Sequence, residues 1–298
     1  MALVEGGEII EARILLEGVV GAGARVQAVL KTVGVPAIAT DSAQEYLLPK
    51  GAPGATQGQS IAIEITREAI PGPEPWKRPL ARVAETISVS DAQGEVVAFP
   101  SPSDRLGEFG WLELLEEARS GIVGFEGGEL RVSLTPAMTL IDVDGRLPPL
   151  ELAMAGAQAA ARAIRRHGVG GSIGVDLPTV AGKAERQAIA EAVDAILVQP
   201  FERTSVNGFG FLQIVRPRRH ASLFELAGER AAFEARALLR LAAFAPPGAK
   251  RLAAHPAVTA VLEQHPDWLD ALAAQVGGEI SLRADPALPM SGGHAEPA

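Results

Sequence analysis

Polar and apolar positions change over along the chain in three regimes. "EIIEARILLEG" alternates with period two and "EGG" supplies a turn, which predicts a short hairpin over residues 1–17. From Val19 to Val89 come short β-like runs, "ARVQAVLKTV", "PAIATD", "EYLLP" and "QSIAIEITRE", separated by Gly, Pro or polar residues. That spacing predicts a small β-barrel. The stretch "IPGPEPWKRP" interrupts it and reads as a barrel loop or a linker. The period then lengthens. "WLELLEEARSG", Trp111 to Gly121, carries helical apolar spacing and stops at a glycine. "GELRVSL" and "AMTLIDV" read as strands, and "LELAMAGAQAAARAIRRHG" as an Ala-rich helix. "GSIGVDL" reads as a buried strand, "AERQAIAEAVDAILVQ" as a second helix and "GFGFLQIVRPRR" as a last strand. The order β-β-α-β-α-β predicts a mixed α/β domain. Beyond Leu223 the pattern gives helices around Glu225 to Phe244 and His255 to Val276, a short strand in "GEISLRA", and a polar, Pro- and Gly-rich tail from Asp285 expected to be disordered.

One apolar run ends unusually. "MTLIDVDG", Met138 to Gly145, has the composition of a buried strand yet closes on Asp142 and Asp144. Residues i and i+2 of a strand share a face, so the two acids project together while Val143 turns the other way. Asp176 ends the second apolar strand, just before Leu177 and Pro178. Acids at the carboxyl ends of such strands sit where α/β sheets usually bind ligands. If the two strands are neighbours, three carboxylates converge. Like charges that close raise one another's pKa, and a divalent cation relieves the cost. Mg²⁺, with Mn²⁺ as the alternative, binds through one or two carboxylates and several waters and serves phosphodiester chemistry. The competing reading is plain: an Asp after a strand is often a helix N-cap or a turn former.

Composition narrows these choices. A chain of 298 residues, 47% hydrophobic, has length and apolar content for two or so domains with ample core. It shows no cationic start with an apolar segment and cleavage site and no long uncharged apolar run, so a cytoplasmic protein without membrane contact is expected. Cysteine is absent, which removes disulfides, thiolate zinc sites and a cysteine nucleophile, and the five histidines lack metal-ligand spacing. The formal net charge of -9 argues against a generally basic nucleic-acid-binding surface. Local clusters remain in "RAIRRHG" and "RPRRH"; for the first, a helix-stabilising role at the end of the dipole competes with RNA contact. Aromatics are 4% of residues, too few for an extensive base-stacking platform. The glycines near the start contain no phosphate loop.

"LTPAMTLIDVDG", a helix, "GVGGSIGVDLP", a second helix and "GFGFLQIVRPRRHASL" resemble, in order and spacing, the catalytic core of the ribonuclease E/G family over about Gly127 to Leu223. The resemblance implies a mixed α/β chain in which an N-terminal OB-like β-barrel precedes an RNase H-like α/β catalytic domain with a helical C-terminal appendix. Its segments would be 1–95 for the hairpin and RNA-binding barrel, 96–126 for a connecting segment with a helix, 127–223 for the catalytic core, 224–284 for the appendix and 285–298 for the tail. It implies Mg²⁺-dependent endonucleolytic cleavage of single-stranded RNA, in RNA processing or decay, with Asp142 and Asp176 holding the metal. The family's supporting Asn falls on Asp144, and its Glu in the last motif is Gln213 here. Arg216 and Arg218 match the basic pair and are implied phosphate contacts. Where the family stacks bases on Phe, this chain has Ile38 and Leu47, with Tyr46 as the nearby aromatic. Residues 95–126 are too few for the family's 5′-phosphate sensor, so cleavage is expected to ignore the 5′ end. No CPxC element exists, so zinc is not expected and any homo-oligomer would lack a zinc link. The rival expectation is an inactive RNA-binding or ribosome-associated protein on the same scaffold, and fold class alone leaves a DNA nuclease as a third.

Overall fold

The computed structural model describes residues 1–70, 77–84, 95 and 103–298. It divides into two compact units, Met1–Gln93 with Phe109–Glu225, and Gly94–Glu108 with Leu226–Ala298. The architecture is mixed α/β, with a closed five-stranded barrel and, among the described residues, eight helices.

The first unit opens with an antiparallel hairpin, β1 (Ala2–Glu5) and β2 (Glu8–Ala12). Five strands follow, β3 (Arg25–Thr32), β4 (Ala37–Thr40), β5 (Glu45–Leu48), β6 (Ser60–Arg67) and β7 (Leu80–Val83). They close as β3-β4-β5-β7-β6, with β6 returning to pair with β3 and β5 running parallel to β7. Alternation drives the closure: Leu30, Tyr46, Leu48, Ile63 and Ile65 point inward and are buried, while residues between them face out. Of the stretch read as a barrel loop or linker, residues 71–76 lie outside the described residues.

The single turn α1 (Arg105–Glu108) belongs to the second unit; α2 (Trp111–Ser120) returns the chain to the first. There β8 (Ile122–Phe125), β9 (Gly128–Leu134) and β10 (Thr139–Gly145) form a meander. It continues through α3 (Pro149–Arg166), β11 (Gly171–Asp176), α4 (Lys183–Asp194), β12 (Glu202–Arg203), β13 (Phe211–Arg216) and the start of α5 (Leu223–Gly228), whose residues from Leu226 belong to the second unit. The six strands lie in the order β12-β13-β11-β10-β9-β8. Only β10 and β11, joined through α3, run parallel, as a crossover helix requires. Helix α3 packs across β8, β9 and β10, with α4 beside it, and buries Leu152, Ala157, Ala160 and Ile164. Gly156 lets α3 approach the sheet: a Cβ there would collide with the side chain of Val143. Ile141, Val143, Ile173 and Val175 fill this layer, which leaves their strand neighbours on the opposite face.

The second unit contains α6 (Arg230–Ala243), β14 (Lys250–Ala254), α7 (Pro256–Glu263), α8 (Pro266–Val276), β15 (Ile280–Ala284) and β16 (His294–Pro297). Strand β14 is central, parallel to β15 and antiparallel to β16, and the helices cover it through Leu238, Leu252, Leu262 and Leu272. This corrects the expectation of a disordered tail over 285–298. His294 to Pro297 is polar, but pairing with Lys250–Ala253 satisfies its backbone, and cross-strand context outweighs a weak intrinsic preference. Among the described residues no helix is long and apolar enough to cross a membrane.

Candidate active site

The three acids emerge on the sheet face turned away from α3. In β10 buried and exposed residues alternate through Thr139, Ile141 and Val143 against Asp142 and Asp144. β11 repeats the pattern, with Ile173 and Val175 buried and Asp176 exposed. The two strands pair in parallel register with Asp142 directly beside Asp176. Neighbouring strands lie about 4.8 Å apart, so the pair of carboxylates shares one face at one level of the sheet. The side-by-side placement expected from the two strand ends is therefore present for Asp142 and Asp176.

Asp144 stands one row further along. Its Oδ1 accepts the backbone N–H of Gly145 at 3.0 Å, and its cross-strand partner is Glu129. Among the described residues no group of three or more histidine and acidic side chains is arranged to hold a metal. A pair remains, and one or two carboxylates with retained waters is the usual protein contribution to a Mg²⁺ site. Neither Asp142 nor Asp176 gives a carboxylate oxygen to a protein hydrogen bond among the described residues, so both are free to serve as ligands.

The acids are not alone on their face. Asp142 pairs across β9 with Arg131, whose Nε donates to Glu129 at 2.9 Å. That bond with Glu129, reinforced by the charges of Asp144 and Asp142, raises the exposed Arg131 guanidinium above its ordinary value. One cross-strand row thus reads Ile122, Arg131, Asp142, Asp176, Phe211. A shallow groove of about 560 Å³ at this edge is lined by Glu129, Arg131, Asp144 and Arg146. Arg131 was legible in principle. "GELRVSL" alternates Glu129, Arg131 and Ser133, and counting back from the turn that pairs Leu134 with Thr139 sets Arg131 opposite Asp142.

A second missed residue is Phe209, which is 84% exposed beside the same edge. It sits in a turn held by Asn207, whose Oδ1 accepts the N–H groups of Phe209 at 2.9 Å and Phe211 at 3.0 Å. The turn is tied to the end of β11, because Leu177 N–H donates to the Gly210 carbonyl and Thr179 Oγ1 donates to the Phe209 carbonyl at 3.2 Å. Gly210 adopts φ 92°, and a Cβ there would collide with the Leu177 carbonyl oxygen, so glycine alone permits this contact.

The other candidates fall elsewhere. β13 is antiparallel to β11, with Phe211 beside Asp176 and Arg216 beside Gly171. Arg216 and Arg218 therefore lie at the far end of the sheet, about 16 Å from the acids at roughly 3.3 Å per residue. The structure separates them from the phosphate that Asp142 and Asp176 would address. Arg218 is further committed to Glu225, which also receives Ser222 N–H and Oγ. Tyr46 requires a second correction. Its exposure is 0%, so the ring fills the barrel core and offers no face to a base. Its hydroxyl donates to Asp41 Oδ2 at 2.6 Å and accepts from Gln44 at 3.1 Å. Burial and that carboxylate push its phenol up to about 12. Ile38 and Leu47 do pair on the outside of β4 and β5. No protein-family model and no curated protein matches this chain.

Proposed function

We propose that this protein is a divalent-metal-dependent endoribonuclease acting on single-stranded RNA, without dependence on the 5′ phosphate. The observation that carries the reading is the parallel register of Asp142 with Asp176 on an exposed sheet face at the carboxyl ends of β10 and β11. Asp142 and Asp176 would hold Mg²⁺ or Mn²⁺, which when bound supplies an acid for activating water and for neutralising charge on a phosphodiester. Arg131, opposite Asp142, is placed to orient a phosphate oxygen beside the pair, and its planar guanidinium suits that contact. Phe209 offers a base-sized apolar surface at the same edge. The barrel order, in which the fifth strand lies between the third and fourth and the fourth returns to the first, supports an OB-like RNA-binding module. The RNase H-like reading of the catalytic half rests on its element order, β-β-β-α-β-α-β-β, in which the first of the last two strands, β12, has only two residues.

A second reading is favoured by a specific observation. The charge of Arg131 already lies close enough to Asp142 and Asp144 to interact with both, which suits an RNA-binding protein without catalysis. Incubating 5′-labelled, unstructured RNA with the protein separates the two. Cleavage with Mg²⁺, none with EDTA, and none for the folded Asp142→Asn and Asp176→Asn variants is expected. Asp144→Asn should lose less than about tenfold, because the amide oxygen can still accept the Gly145 N–H and the pair is intact. Undiminished cleavage by Asp142→Asn would sink the assignment; RNA binding with no cutting and no calorimetric Mg²⁺ or Mn²⁺ site would favour the second reading.

A further inference from the structure

Arg216, which the strand order removes from the acids, joins other arginines around a groove of its own. It has a volume of about 490 Å³ and lies in the first unit, where β2, the end of α3 and the chain after β13 meet. Arg13, Arg165, Arg216, Arg219, His220 and Glu11 contribute to its lining. Two of the cations are balanced: Arg13 by Glu68, and Arg165 by Glu11 at 2.7 Å. The other two are not. Arg216 donates one N–H to the Val169 carbonyl at 3.3 Å, and Arg219 is exposed and has no side-chain ion pair or hydrogen bond among the described residues. Among the described side chains, four arginines against two glutamates leave an excess of two positive charges in a protein whose net charge is -9.

This arrangement is costly without an anion. Burial lowers the Arg216 guanidinium from its ordinary value, and Arg165 and Arg219 push it further down against the pull of Glu11. An arginine stays charged under such pressure and accepts stabilisation from an opposite charge instead. Burial also lowers His220, with Arg13 and Arg216 acting in the same direction, so the imidazole adds no charge near neutrality. The cradle is firmly supported. Glu68 is 7% exposed, accepts Ala22 N–H at 2.9 Å, and its own N–H donates to the Arg219 carbonyl at 2.8 Å, which ties the end of the barrel to the Arg219 backbone.

From this placement we infer that Arg216 and Arg219, framed by Arg13 and Arg165, form a phosphate-binding cradle remote from the acids. Two guanidinium forks match the oxygens of a tetrahedral phosphate, and the volume is in the range of small-ligand pockets, roughly 300–1,000 Å³. The phosphate can belong to a nucleic-acid backbone or to a small phosphorylated molecule, which share this chemistry. The inference does not rest on the nuclease reading.

The test is a calorimetric titration in EDTA at low salt of inorganic phosphate, a nucleoside monophosphate and a short single-stranded RNA. The proteins are the full chain, Arg219→Gln, Arg216→Gln with Arg219→Gln, and Arg251→Gln, which removes one exposed charge from the second unit. Phosphate-containing probes should bind the full chain, and Arg219→Gln should weaken binding about tenfold while Arg251→Gln does not. Arg219 is exposed, so this variant remains informative should the half-buried Arg216 prove necessary for folding. Loss confined to the RNA identifies a backbone phosphate, and loss shared by the mononucleotide and inorganic phosphate identifies a small ligand. Failure of all three probes to bind, or binding that Arg219→Gln and the double variant leave unchanged, overturns the inference.

Discussion

Phe209 is the residue whose position demands most explanation. A large apolar side chain at 84% exposure is ordinary on a mobile surface loop, but this one stands on a turn fixed by Asn207 and by two hydrogen bonds to the segment that follows Asp176. A rigid aromatic surface loses little conformational freedom when a base stacks on it, and stacking contributes about 1–3 kcal/mol per base. Phe209→Ala should therefore weaken single-stranded RNA binding by about fivefold to 150-fold, and Phe209→Trp should retain it. Fluorescence anisotropy in EDTA reads binding without cleavage, so the outcome is independent of whether Asp142 and Asp176 support catalysis. Equal affinity for the Ala variant and the parent would remove Phe209 from the RNA path. The sequence displays this phenylalanine among the Phe and Gly residues of "GFGF", yet its exposure depends on a turn that only the Asn207 bonds define.

At the scale of elements, the barrel carries a titration that can be followed directly. Tyr46 is the chain's single tyrosine and lies wholly inside the barrel. Its phenol is raised to about 12 by burial and by the bond to Asp41. An acid held neutral in the fold and free to ionise in the unfolded chain stabilises the fold fully below the unfolded value, near 10. That contribution is lost as pH rises toward about 12 and amounts to roughly 3 kcal/mol at most. Ultraviolet absorbance of the folded protein should show no tyrosinate at pH 10, and Tyr46→Phe should flatten the decline in melting temperature between about pH 10 and 12. A midpoint near 10 would place the ring in water instead. Elements with strong period were legible: β9, α2, α3 and β11 fall where their patterns place them, within a residue or two. Those missed are short or carried by neighbours. β8 has four residues and an internal glycine, β12 has two, and β14 and β16 acquire strand geometry from each other's backbones. The inward turn of Tyr46 was missed because its strand alternates either way until the barrel closes around it.

For the whole molecule, the sequence could show which residues carry chemistry but not which of them meet. Asp142 and Asp176 meet because β10 and β11 are parallel; Arg216 and Arg218 are carried away because β13 is antiparallel, and strand direction is decided by connections far from either motif. The result is a chain of net charge -9 whose surplus cations are local. RNA binding should then be only weakly electrostatic. Each phosphate neutralised on a single strand contributes a slope of about -0.7 to log K against log salt, so the two unbalanced cradle arginines account for about -1.4. With Arg131 engaged as well, the slope should reach about -2, and stacking on Phe209 should persist at high salt. Affinities measured from low to high salt for the parent and for the double Arg216→Gln, Arg219→Gln variant check this. The variant should retain a slope shallower by about 1.4 and an unchanged high-salt limit. A parent slope steeper than about -5 would mean that a far more extensive basic surface holds the RNA, and the division of labour between cradle and stacking edge would be wrong.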